Sequence, residues 1–157
     1  MLTTINTILC AVNFNDDTSS ELLSMGLSLS EKYQAKVTLL NVVRPVDASV
    51  FYGGSIELWD EIEENTLSRA KSELENLAND FFDQRAIKEE AITRPNVEII
   101  KGHAAESIVK YADIINAGMI IMGSNAHSAI GQFLLGSVAD RVMRTSKRPV
   151  LLVPVSG

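Results

Sequence analysis

Cysteine, histidine and positive charge are scarce in this chain, and each scarcity closes off a class of function. A single cysteine, Cys10, among 157 residues excludes an internal disulfide. It lies in the apolar run Ile8-Leu9-Cys10-Ala11-Val12, where a free thiol behaves as a small buried hydrophobe and not as a nucleophile. The histidines are two, His103 and His127, and no Cys/His cluster offers the spacing of a zinc site. There is no Ser-His-Asp order with a nucleophile-elbow sequence. Lys and Arg number 14 against 20 Asp and Glu, a net charge of −6, the reverse of the basic surface that binds nucleic acid. No apolar stretch approaches the roughly 20 residues of a membrane span. The opening Met1-Leu2-Thr3-Thr4-Ile5-Asn6 lacks the basic start and cleavage site of a signal peptide. These features fit a cytoplasmic protein with no nucleic-acid or membrane partner.

What is present is an ordinary globular balance, 46% hydrophobic and 22% charged, in a length that suits one domain over residues 1–157. Short apolar runs alternate with helical spacing. Ile8 to Val12 reads as a strand buried on both faces. Thr18, Ser19 or Ser20 then caps a helix with Glu21 near its positive end and Leu22, Met25, Leu29 and Lys32 or Tyr33 at helical intervals. Lys36 to Val43 is a second strand, stopped by Pro45. After a loop from Arg44 to Ser55, Leu67, Ala70, Leu74, Leu77 and Phe81 step by three and four. That spacing leaves Glu63, Glu64, Lys71, Glu75 and Asp80 for water. A third strand, Val97 to Lys101, ends at Gly102. A helix from about Ala104 to Asn116 buries Ile108, Tyr111, Ala112 and Ile115. Met119 to Met122 forms a fourth strand. A last helix from Gly136 to about Thr145 buries Val138, Val142 and Met143, and Pro149 to Val155 is a fifth strand. The order βαβαβαβαβ with near-continuous apolar strands predicts an α/β fold, one doubly wound domain with a parallel sheet.

In such sheets a ligand binds beyond the carboxyl ends of the strands, where strand order reverses. If the first and fourth strands are neighbours there, Ala11-Val12-Asn13-Phe14, Val42-Val43 and the segment from Gly123 onward converge. Gly123 permits close backbone approach. Gly136 and Ser137 open a helix whose free N–H groups and positive dipole end favour an anion, and the Ser137 hydroxyl adds a donor. Against this stands a simpler reading, in which Gly123 makes a tight turn and Ser137 only caps its helix. Gly131-Gln132-Phe133-Leu134-Leu135-Gly136 has the two-glycine spacing of a P-loop, but Ser137 stands where the lysine belongs. No Lys or Arg occurs between Gly123 and Gly136, which argues against a Walker-type NTPase. Asn13-Phe14-Asn15-Asp16 replaces any dinucleotide-type glycine run after the first strand.

These residues together resemble the universal stress protein family. The resemblance runs through Ile8-Leu9-Cys10-Ala11-Val12, Leu40-Asn41-Val42, Gly102-His103-Ala104, Ile121-Met122-Gly123-Ser124, Leu134-Leu135-Gly136-Ser137-Val138 and Arg148 to Pro154, in order and over essentially the whole chain. It implies a five-stranded parallel sheet of order 3-2-1-4-5 with four helices. It also implies dimerisation through the fifth strand, at Val150, Leu151, Leu152, Val153 and Val155, which agrees with the hazard of an apolar edge left bare. Some members of the family bind ATP and others do not. In the ATP-binding pattern Ala11, Asn13 and Val42 match positions near adenine and ribose. Met122, Gly123, Ala126, Gly136, Ser137 and Val138 match the phosphate side, and His127 lies in the same loop.

The chain departs from that pattern in three places. Asn13 stands where Asp is usual, keeping a hydrogen-bonding group without its charge. Met119 replaces an Asp before the fourth strand. Ala126 replaces the second glycine of the phosphate motif. If that position needs a positive φ, Ala costs on the order of 1 kcal/mol and its methyl crowds the phosphates. Asp16 and Asp17 offer carboxylates for Mg²⁺ beside a triphosphate, although a turn role is the simpler account. No residue stands out as a base for hydrolysis. The expected function is a dimeric, ATP-binding regulator of the stress response that is not an enzyme. The alternatives are a nucleotide-free dimer acting through protein contacts and an ATPase of low turnover.

Overall fold

Two periods run through the chain, two in the strands and 3.6 in the helices, and together they put two apolar layers on one sheet. The computed structural model describes residues 4–14, 19–47, 54–84, 94–124 and 135–154. Among these, nine elements alternate: β1 (Thr7–Ala11), α1 (Ser19–Tyr33), β2 (Lys36–Val43), α2 (Ile56–Gln84), β3 (Asn96–Lys101), α3 (Ala104–Ile114), β4 (Met119–Ser124), α4 (Ser137–Thr145) and β5 (Val150–Pro154). The strands form one sheet in the order β3-β2-β1-β4-β5, every pair parallel. The expected fold is therefore the observed one, and strand order reverses between β1 and β4.

Alternate residues of each strand feed opposite layers. Ile8, Cys10, Val12, Leu39 and Ile121 meet Leu22, Leu23 and Leu27 of α1 and Leu74 and Ala78 of α2. Leu9, Leu40, Ile120 and Met122 meet Ala105, Ile108 and Ala112 of α3 and Ala139 and Val142 of α4. Helix α1 comes especially close to the sheet at Gly26, where an added Cβ would lie 2.7 Å from Cys10 Sγ. Burial of α2 is confined to its second half, at Ala70, Leu74 and Ala78, whereas Ile56, Leu58 and Ile62 near its start are exposed.

Several sequence expectations need correction. Met143 is 48% exposed. It lies about 100° round the helix from Val142, beyond the stripe that α4 turns inward. Met25 is exposed for a similar reason, since Leu22, Leu23 and Leu27 take the inward face of α1. Glu63 is not left to water; it pairs with Lys101 and ties α2 to the end of β3. Tyr111 and Ile115 are half-buried, and α3 stops at Ile114 because Asn116 turns left-handed at φ 52°. Strand β1 pairs one residue earlier than its apolar run suggests, from Thr7.

Candidate functional site

The carboxyl edge at the reversal point is assembled by register. Ala11 pairs with Leu40 on one side and Met122 on the other, so Val12, Asn41 and Gly123 stand one step further along. Asn13, Val42 and Ser124 stand beyond them. Ala11, Val42, Leu135 and Val138 pack on the same apolar cluster that buries Met122. The structure thus brings Ala11, Val42 and Met122 to the face of the sheet that α3 and α4 cover, with Val138 of α4 packed on the same cluster to complete a low apolar wall. Gly123 is half-buried at the end of that wall, and Asn13 is exposed at its rim.

Helix α4 supplies the polar end. Gly136 is its N-cap in extended conformation, φ −60° and ψ 151°, with no side-chain cap. The first intrahelical bond runs from Asp140 N–H to the Gly136 carbonyl at 2.9 Å, so the amides of Ser137, Val138 and Ala139 have no acceptor within the helix. Ser137 is exposed beside them. The first-turn acid Asp140 is held by Arg144, whose Nε donates to both carboxylate oxygens at 3.0 Å, and this pairing tempers its repulsion of an anion. The donor set is of a kind that suits a nucleotide: half-buried apolar side chains, Ala11, Val42 and Val138, next to backbone amides that favour negative charge. Ala126, His127, Asp16 and Asp17 lie outside the described residues.

The turn after β1 is fastened from behind. Val12 N–H donates to the Leu40 carbonyl at 2.8 Å, and the Asn41 side-chain Nδ2 donates to the Val12 carbonyl at 2.8 Å. Ser19 Oγ, in the first turn of α1, donates to the Asn13 carbonyl at 3.5 Å. The buried Ser124 hydroxyl donates to the Val153 carbonyl at 3.5 Å, joining β4 to β5 at the same edge. Neither Asn41 nor Ser124 is marked as a site residue by sequence reasoning. The available signal for Asn41 was a lone amide inside the apolar run Leu39 to Val43.

His103 is exposed and is the N-cap of α3 through its backbone alone, its side chain making no cap bond. Among the described residues no group of three His, Cys, Asp or Glu side chains is placed to hold a metal ion. A cavity of about 410 Å³ opens at the opposite, amino-terminal edge of the sheet, lined by Thr7, Lys36, Thr38, Glu98 and Tyr111 among others. Burial first, and then the Glu98 carboxylate, raise the Tyr111 hydroxyl pKa above its ordinary value. No residue of the carboxyl-edge site lines that cavity.

The sequence profile of the Universal stress protein family matches residues 4–154. The chain belongs to this family. Universal stress protein MJ0531 of Methanocaldococcus jannaschii is 30% identical to it over 141 residues, which cover 87% of this chain and 75% of the relative. The solved structure of MJ0577, from the same organism, superposes with a TM-score of 0.71 at 26% identity, covering 98% of this chain and 99% of the other. A universal stress protein solved in complex with cAMP shares the fold with a TM-score of 0.64 at 20% identity, covering 98% and 99%. The chain shares the fold of these two solved structures, and its own parallel sheet has the order 3-2-1-4-5. No helix among the described residues is long and apolar enough to cross a membrane.

Proposed function

We propose that this universal stress protein is a dimeric regulator that binds an adenine nucleotide, ATP in the first instance, at the carboxyl edge between β1 and β4. The observation that carries this reading is the placement of Ala11, Val42, Met122 and Val138 on one apolar wall that runs into the amide end of α4 at Gly136 and Ser137. In this arrangement the wall would hold the base. Asn13 at the rim would hydrogen-bond the ribose, and Gly123, Ala126, His127, Gly136 and Ser137 would surround the phosphates. The nucleotide would supply a negatively charged group whose presence the protein reports, with Mg²⁺ as its natural companion. The cAMP complex of a protein with the same fold supports an adenine nucleotide as the ligand class. Dimerisation is assigned to the free edge of β5, where Val150, Leu151 and Leu152 are only half-buried and an unpaired apolar strand favours association.

A nucleotide-free dimer acting through protein contacts is the second reading, and it is favoured by two residues, Asn13 and Ala126. Calorimetric titration of the purified protein with Mg-ATP separates the two, together with mass spectrometry of small molecules released on denaturation. Saturable binding at or below millimolar ATP is expected, and its absence overturns the first reading. Ala126→Gly is expected to tighten ATP binding by up to about tenfold, the equivalent of roughly 1.4 kcal/mol. Unchanged or weaker affinity would show that the methyl group is not the obstacle.

A further inference from the structure

We infer that Asn41 is a positioning residue for the nucleotide edge, setting where Asn13 stands by holding the Val12 carbonyl; the inference rests on the proposed nucleotide reading. Asn41 lies near the carboxyl end of an interior strand, in an otherwise apolar stretch of β2 between Leu40 and Val42, and is 8% exposed. A buried amide at such a place is costly unless its hydrogen bonds are made. Its Nδ2 donates across to the neighbouring strand and reaches the Val12 carbonyl at 2.8 Å, joining residues 29 apart.

The location of that bond gives it a functional consequence. Strand β1 pairs with β2 as far as Ala11 and Leu40, and Val12 N–H extends the ladder by one bond to the Leu40 carbonyl. Beyond this point the chain leaves the sheet to form the Asn13–Phe14 turn. Val12 is therefore gripped at its N–H by β2 backbone and at its carbonyl by a β2 side chain. Its own side chain is buried, 4% exposed, in the layer under α1 and α2. With all three groups held, the peptide plane that leads into Asn13 has one orientation. An aliphatic residue at 41 would fill the space and satisfy the core, but it would release this plane. The amide thus serves the edge and not the packing.

Three substitutions separate positioning from mere stability. Asn41→Leu removes the donor at similar volume. Asn41→Asp keeps the shape but sets an acceptor against the Val12 carbonyl. Asn41→His restores a donor, because imidazole Nδ1 is bonded to Cγ as the amide nitrogen is. Ile8→Val, a core change at the amino-terminal end of the sheet where Ile8 pairs with Val37 and Met119, serves as the stability control. Backbone amide exchange at Asn13 and Phe14 and ATP affinity are read for each variant. The expected result is faster exchange and affinity about three- to tenfold weaker in Asn41→Leu and Asn41→Asp, both restored in Asn41→His. Ile8→Val should lower the melting temperature with affinity unchanged. The inference is overturned if exchange at Asn13 and Phe14 is unchanged in Asn41→Leu, or if affinity falls equally in Ile8→Val. If the native chain does not bind ATP, the nucleotide reading fails on that result alone. The exchange measurement then still decides the positioning role, faster exchange with rescue by histidine supporting it and unchanged exchange refuting it.

Discussion

Arg148 shows how much structure one side chain can organise without any local sign of it. Its Nε donates to Asp113 Oδ1 at 3.1 Å, and its Nη1 donates to Asn116 Oδ1 at 2.9 Å and to the Ala117 carbonyl at 3.1 Å. These acceptors form the end of α3, where Asn116 turns left-handed and the chain doubles back into β4. A guanidinium there meets the carbonyl-rich, negative end of a helix, the favourable sense of the dipole. Its own backbone N–H is taken by Ser146 Oγ at 2.9 Å, so the turn into β5 is held as well. Asp113 is half exposed, which discounts the ion pair; the bond to the Ala117 carbonyl is better sheltered. Arg148→Ala should cost about 1–2 kcal/mol, seen as a lower midpoint in urea. Arg148→Lys should recover only part of this, because an ammonium cannot span three acceptors as a planar fork does. Full recovery with lysine would show that charge alone matters. From sequence, Arg148 is a residue before a proline at the start of the last family-like segment; its side-chain partners lie 31 to 35 positions away, and no local pattern reveals them.

Elements were far more legible than residues. The strands announce themselves because burial on both faces demands largely apolar runs, and Ile8 to Val12, Lys36 to Val43 and Met119 to Met122 each overlap an observed strand, with Val12 just past the end of β1. Ends and edges were less so. Whether Met143 or Val142 faces inward depends on how α4 is rotated against the sheet, and periodicity alone leaves a 100° ambiguity. Topology alone brings the segments Ala11 to Phe14 and Val42-Val43 to the ligand edge, but the roles of Ala11 and Val42 within them were legible only through the family resemblance, since neither side chain by itself announces a ligand. Helix α1 carries a test of how element packing overrides local propensity. Gly26 sits inside a helix, where Ala is favoured by about 1 kcal/mol. Yet a Cβ there would lie 2.7 Å from the sulfur of Cys10, itself fully buried on the facing strand. Gly26→Ala should therefore destabilise the protein by about 1–3 kcal/mol, the usual cost of overpacking. Adding Cys10→Ala should recover part of the loss, a coupling that a double-mutant cycle measures. A stabilised Gly26→Ala single variant would mean that α1 slides away from β1 at negligible cost.

For the molecule as a whole, the buried layers make stability depend on pH on the alkaline side. Cys10 is fully buried, and burial pushes its thiol up to about 12 from an ordinary 9.0. Below pH 9 the thiol is protonated in both folded and unfolded chains and contributes no slope. Above it the unfolded chain ionises first, so the folded state loses stability steadily until pH approaches 12. Tyr111 acts in the same sense, since burial and then Glu98 raise its hydroxyl pKa. At about 1.4 kcal/mol per pH unit, the thiol alone would remove on the order of 4 kcal/mol across that window, an appreciable part of the roughly 5–15 kcal/mol typical of a domain. The quantity to measure is the slope of unfolding free energy against pH between 9 and 11, in the native chain and in Cys10→Ala. The variant starts lower, because a buried sulfur is replaced by a cavity, but its slope should be shallower by about one proton's worth. Tyr111→Phe should flatten the slope further above pH 10. Parallel slopes in the native chain and Cys10→Ala would mean that the thiol ionises without opening the layer between β1 and α1, and the close seat of Gly26 on Cys10 would then be looser than its geometry implies.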